Sequence, residues 1–139
     1  MLLDLRSLQK AIASLDRAIE VTVAQINAAV ATDQEEVLRA GVIQNFGFTY
    51  ELCWKFIKRW LRINFNDPAI DGMSRKELFR MAAESQLINS VEDWFFYHKA
   101  RNETSHTYNI DIAKNIYAIA VDFVSDAQAL LRKLESKND

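Results

Sequence analysis

Residues 5–30, LRSLQKAIASLDRAIEVTVAQINAAV, decide the fold class. Apolar side chains recur at Leu5, Leu8, Ile12, Leu15, Ile19, Val23, Ile26 and Val30, in steps of three and four. At 3.6 residues per turn this spacing draws one apolar stripe along a cylinder, so a helix is expected over residues 3–30. Such a stripe has to be covered, and the chain supplies partners of the same period. Phe46, Tyr50, Cys53, Ile57 and Leu61 mark a second helix from Thr32 to about Phe65. Ile112, Ile116, Ile119, Phe123, Ala127, Leu130 and Leu134 mark the last one.

Capping residues divide what lies between. Thr32 with Glu35 has the spacing of a capping box and restarts the chain after the first helix. Asn64 to Met73 reads as a loop, because it holds Asp67, Pro68, Asp71 and Gly72. Ser74 with Glu77 repeats the capping box and opens a third helix to about Glu84. Ser90 with Asp93 opens a fourth, through Trp94 to about Thr104, and Asn109 caps the last. No strand pattern competes. The expectation is an all-α, up-and-down antiparallel bundle of about five helices, one domain over residues 1–139.

Trp94-Phe95-Phe96-Tyr97 adds an expectation about assembly. At roughly 100° per residue, four successive aromatic residues surround most of the helix and cannot share one core-facing stripe. A helix apolar nearly all round is buried on more than one side, so a homodimer with this helix at or near its interface is expected.

The single cysteine, Cys53, excludes an internal disulfide and a multi-cysteine zinc site. No run is long and apolar enough to cross a bilayer and no leader is evident, so a cytoplasmic protein with no membrane partner is expected. A net charge of −2 argues against a general nucleic-acid coat. The charge is uneven, however. Residues 51–80 carry seven basic and four acidic side chains, among them Lys55, Lys58, Arg59, Arg62, Arg75, Lys76 and Arg80. Glu51 and Lys55 stand four apart in the order that favours a helical ion pair. Trp54 and Trp60 lie among these cations and are read as packing against the last helix, with base stacking as the alternative.

The stretch that carries chemistry is Arg101-Asn102-Glu103-Thr104-Ser105-His106-Thr107-Tyr108. It gathers a permanent cation, an imidazole that titrates near neutral pH and a phenol within eight residues. His98, Arg101 and Asn102 share a face of the fourth helix, and His106 lies just past its end, where the chain can fold back towards Arg101. This set is sufficient in kind for RNA cleavage without a metal. His106 can take the proton of a ribose 2′-hydroxyl or give one to the leaving 5′-oxygen, and Arg101 can hold the phosphate. One imidazole cannot do both in one step, but two copies facing each other across a dimer can. Lys99 and His98 are weaker candidates for the second proton carrier, and Glu51 and Lys55 can orient the site from the second helix. No cluster has metal-ligand spacing, and no cofactor is expected.

Arg, four residues, His, one residue, Tyr resembles the motif of the HEPN family, the helical partners of minimal nucleotidyltransferases in prokaryotic two-gene modules. Phe48-Thr49-Tyr50-Glu51-Leu52-Cys53-Trp54-Lys55 is similar to the second-helix signature of its nucleotidyltransferase substrate-binding subgroup. Ser74 to Asn89, Trp94, and Arg101-Asn102 through His106 and Tyr108 follow that subgroup in order, over essentially the whole chain. Gly47 departs from it, at a position where Glu is common. The resemblance implies a dimeric, metal-independent RNase toxin whose Arg101 and His106, with Asn102 adjoining, line a cleft between subunits. It also implies a nucleotidyltransferase antitoxin encoded nearby that transfers AMP from ATP to Tyr108. The chain lacks the Gly-Ser and paired-Asp pattern of such a transferase and is therefore not the transferase. Three readings follow: a toxin RNase, a non-catalytic substrate-binding subunit, and a helical interaction module.

Overall fold

The structure is a computed structural model that describes residues 2–27 and 32–138. Helices α1 (Arg6–Asn27), α2 (Thr32–Phe65), α3 (Arg75–Glu84), α4 (Val91–Asn102) and α5 (Ile110–Ser136) form, and the described residues include no strand. Two 3₁₀ turns, Pro68–Gly72 and Glu103–His106, occupy the α2–α3 loop and the exit from α4. Val30 of the apolar stripe lies outside the described residues, as does the Thr32 side chain of the first capping pattern.

The other caps act as their residue types require. Ser74 Oγ accepts from Glu77 N at 3.2 Å, Ser90 Oγ from Asp93 N at 3.2 Å, and Asn109 Oδ1 from Asp111 N at 2.9 Å. Each satisfies an amide that the first helical turn leaves without a backbone partner.

The long helices form the bundle. α1 runs antiparallel to α2, with Thr49 Oγ1 donating to the Ala11 carbonyl and Ser14 Oγ donating to Asn45 Oδ1. It also runs antiparallel to α5: Gln9 donates to Glu135, and Asn138 clasps the backbone of Leu3 through both of its side-chain polar atoms. The short α3–α4 pair carries the chain back, so α2 and α5 run in the same sense along one side of α1. The α1 stripe is buried from Leu5 to Ile19 and then leaves the core. Val23 is 41% exposed while Thr22 is buried, its hydroxyl donating to the Ala18 carbonyl at 2.7 Å. A step of three from Ile19 places residue 22 over the core, and its hydroxyl finds an acceptor one turn back, so polarity there does not prevent burial.

Where α2, α4 and α5 meet, Phe123 is enclosed by aromatic rings. Its centroid lies 5.1 Å from Phe46, 5.0 Å from Tyr97 and 5.6 Å from Trp94, each at a steep angle. Edge-to-face contacts of this kind add to the stabilisation from area burial. The four-aromatic run of α4 divides accordingly: Trp94 and Tyr97 are buried, whereas Phe96 is 52% exposed. Replacing Phe123 with Ala leaves a cavity among three helices. We expect a loss of about 3–5 kcal/mol, read as a fall in the urea midpoint with unchanged slope.

Candidate functional site

Arg101 leaves the last turn of α4 and lies flat across α2. Gly47 makes the approach possible. A Cβ at that position would stand 3.2 Å from both Cδ and Nε of Arg101, closer than ordinary contact. One turn further along α2, Glu51 Oε1 lies 3.6 Å from Arg101 Nε, and Glu51 Oε2 accepts from Trp54 Nε1 at 2.9 Å. From the other side, Arg101 Nη1 donates to Thr104 Oγ1 at 2.8 Å, and that hydroxyl donates back to the Arg101 carbonyl at 2.7 Å. Nε is sealed from solvent, so the exposed 37% of this side chain lies away from it. A guanidinium held by a carboxylate and a hydroxyl, with Nη2 unengaged among the described residues, is oriented to receive an anion.

Glu51 therefore pairs with Arg101 and not with Lys55, because Trp54 and Arg101 claim its two oxygens. Trp54 meets α3 on one face: the guanidinium carbon of Arg75, the first residue of α3, stands 3.4 Å over the Trp54 ring. Lys55 Nζ lies 5.9 Å from the same ring. Lys99 is exposed and has no side-chain bond among the described residues.

His98 belongs to a second polar group beside the first. Its Nδ1 is 2.9 Å from the hydroxyl of buried Tyr50, and its Nε2 is 3.4 Å from Asn102 Nδ2. The amide nitrogen can only donate, so Nε2 accepts and the ring proton is assigned to Nδ1, facing the Tyr50 oxygen. Burial and the nearby Arg75 charge lower the His98 pKa from its ordinary 6.5, with Glu51 pulling the other way. The Tyr50 hydroxyl is held protonated by burial, its pKa raised far above the usual range.

The Glu103–His106 turn decides where the motif residues go. In a 3₁₀ helix residues three apart eclipse one another. Arg101, Thr104 and Thr107 accordingly face inward, and Asn102, Ser105 and His106 are exposed. Among the described residues the Arg101 side chain is engaged by Glu51 and Thr104 and not by His106. Its ring instead stands edge-on to Tyr108, 6.1 Å between centroids, and Tyr108 is 86% exposed.

Between α2, this turn and the start of α5 lies a cleft of about 1100 Å³. Arg39, Phe48, Lys55, Arg101, Tyr108 and Ile110 are among the residues lining it; His106 is not. The structure thus brings Arg101, Glu51, Lys55 and Tyr108 to one cleft, and Asn102, His98 and His106 are not among its lining. Gly47, Thr104, Arg75 and Arg39 had no place in the sequence-derived site. Only the inward period of three through Arg101, Thr104 and Thr107 had a sequence signal.

A helical bundle presenting Arg, His and Tyr from the connection between its last two helices defines the class. Residues 3–136 match the family described as nucleotidyltransferase substrate binding protein like, and the chain belongs to that family. It is 38% identical over 107 residues to a protein of Haemophilus influenzae named probable ribonuclease HepT, covering 75% of this chain and 72% of that one. A solved Haemophilus influenzae structure, described as revealing the fold of a substrate binding domain of a nucleotidyltransferase, superposes with a TM-score of 0.87. It is 33% identical and covers 95% of this chain and 99% of its own. A Thermus thermophilus structure gives a TM-score of 0.73 at 26% identity, covering 91% and 98%.

Two outcomes test this geometry. An NMR titration should place His98 below the ordinary 6.5. Because its folded pKa is depressed, its contribution to stability is complete above the unfolded value and is lost as pH falls through the folded one. His98→Gln should flatten that part of the stability–pH curve. Gly47→Ala should keep or raise the melting temperature, since Ala favours a helix interior by about 1 kcal/mol. It should nevertheless shift the Arg101 Nε–Hε resonance; an unmoved resonance would show that the glycine is not what admits the side chain.

Proposed function

We propose that this protein is a homodimeric, metal-independent endoribonuclease, the toxin of a two-gene module whose nucleotidyltransferase neutralises it. The reading is carried by Arg101. Its guanidinium is fixed by Glu51 and Thr104 at the mouth of a cleft, with part of it turned to solvent.

The outward placement of His106 is consistent with a shared site. His106 does not line the cleft of its own chain, and a second copy would bring the further imidazole that the reaction needs. Phe96 of α4 is 52% exposed, apolar area that such a copy would cover. In the dimer one His106 removes the ribose 2′-proton as the 2′-oxygen attacks phosphorus. The other protonates the departing 5′-oxygen, and a cyclic phosphate and a 5′-hydroxyl result. Arg101 binds the phosphoryl oxygens as charge builds on them, and Asn102 donates a further hydrogen bond. Arg101 does most in this scheme, since donors already fixed in place stabilise the developing charge without having to reorganise.

Tyr108 is the acceptor for AMP. At 86% exposure its hydroxyl is open to a second enzyme, and it lines the cleft next to Arg101. An adenylate there adds negative charge and bulk where the RNA phosphate binds. The partner in this reading is a minimal nucleotidyltransferase encoded nearby, and the family description and the Haemophilus structure support a nucleotidyltransferase as its class. A second reading, the non-catalytic substrate-binding subunit of that enzyme, draws support from the breadth of the cleft and the absence of His106 from its lining.

Purified protein incubated with RNA in EDTA separates the two. Arg101→Ala and His106→Ala should each lower cleavage by at least ~10²-fold while circular dichroism stays unchanged. Equal background in all three proteins would favour the binding subunit. Sedimentation should give twice the 16.0 kDa chain mass. Mass spectrometry after co-expression with the transferase should find AMP on Tyr108 and none on Tyr108→Phe.

A further inference from the structure

We propose that Arg39 is a second phosphate-holding residue of the cleft, so that the site takes a single strand of RNA several nucleotides long. The inference rests on the RNA-cleaving reading above and names what the strand touches beyond the scissile phosphate.

Arg39 lies on the cleft face of α2 and is only 6% exposed. Among the described residues no carboxylate stands within ion-pair distance of its guanidinium, and none accepts a hydrogen bond from it. Glu36, one turn earlier, lines the same cleft without pairing with it. Its charge lowers the pKa of Tyr117 of α5, which burial raises more strongly. The Arg39 nitrogens are not among the polar atoms sealed from solvent without a partner, so a guanidinium with no counter-charge opens on the cleft and is free to receive an external anion. Arg39 differs in this respect from Arg101, which has Glu51.

Spacing argues for a strand rather than a lone phosphate. Arg39, Gly47 under the Arg101 side chain, and Lys55 follow one another at eight-residue intervals along α2. Each interval is ~12 Å of helix. A stacked strand advances ~3.4 Å per nucleotide, so each interval accommodates three or four nucleotides. Phe48 and Tyr108, both exposed and both lining the cleft, offer ring faces to the bases between. Glu36 and Glu51 are the cleft's carboxylates, and Glu51 is already engaged by Trp54 and Arg101.

Fluorescein-labelled 2′-O-methyl oligouridylates of two, four, six and ten nucleotides, which resist cleavage, provide the test. Wild-type affinity should step upward once the strand exceeds about four nucleotides. Arg39→Gln should remove that step, weaken the ten-nucleotide strand about 5–10-fold and leave the dinucleotide unchanged. The slope of log affinity against log salt should fall by about 0.7, the value for one phosphate contact on a single strand. Arg39→Lys should keep the slope. If Arg39→Gln does not fold, the wild-type Arg39 Nε–Hε resonance serves instead, and it should move with the hexanucleotide but not the dinucleotide. An unchanged step and slope in Arg39→Gln, with wild-type protein still cleaving RNA, would overturn the inference and spare the ribonuclease reading. Loss of the dimer mass in Arg39→Gln with RNA binding intact would also overturn it, by assigning the guanidinium to the subunit contact. Wild-type protein that neither binds nor cleaves RNA would remove both.

Discussion

Phe123 sits where α2, α4 and α5 converge, and the placement of every candidate site residue depends on that junction. The ring is fully buried and is met by Phe46 from α2 and by Trp94 and Tyr97 from α4. Because steep aromatic contacts are directional, they fix α4 in rotation as well as in distance from α2. Arg101 is seven residues after Trp94 on the same helix, two turns along the same side. The aromatic junction therefore sets the line along which Arg101 reaches α2, and Gly47 and Glu51 receive it there.

What happens at the end of α4 follows from backbone geometry. The change from α to 3₁₀ winding at Glu103 replaces a period of 3.6 by one of three, and the motif divides between two surfaces. Arg101, Thr104 and Thr107 form the inner row, and His106 faces outward beside Tyr108. Thr104 belongs to both levels, since its hydroxyl bonds the Arg101 backbone and the Arg101 side chain. The same turn thus anchors the cation and presents the imidazole and the phenol to whatever approaches. On the opposite flank, Tyr50, His98 and Asn102 form a short polar relay next to Arg75 on Trp54. Glu51 links Arg101 to Trp54 through its two oxygens.

Much of the fold could be read from side-chain period and caps. The stripes of α2 and α5 and the caps at Ser74, Ser90 and Asn109 all correspond to the structure within a residue or two. The α1 stripe is buried as far as Ile19, and beyond it Thr22 replaces Val23 because helical phase outweighs polarity. Part of the site was legible for the same reason: local spacing puts Arg101 near Tyr108 and Glu51 near Lys55, and the packing of α4 on α2 then brings the two pairs to one cleft. Gly47 and Arg39 were not legible. A glycine beneath a guanidinium and an arginine lacking a carboxylate are facts about neighbours from other helices, and no local pattern records them. The ion pair expected between Glu51 and Lys55 failed on the same ground, since a partner from α4 competed for the carboxylate.

The sequence by itself determined that the chain is helical, where most helices begin, and which eight residues carry the chemistry, because hydrophobic period, capping and functional-group content are local properties. Only the tertiary structure decided which way those residues face. Orientation depends on the 3₁₀ winding after Asn102, on the aromatic junction at Phe123 and on the bare surface at Gly47. Each of these brings together atoms far apart in the chain, and their relative positions are set by packing rather than by residue spacing.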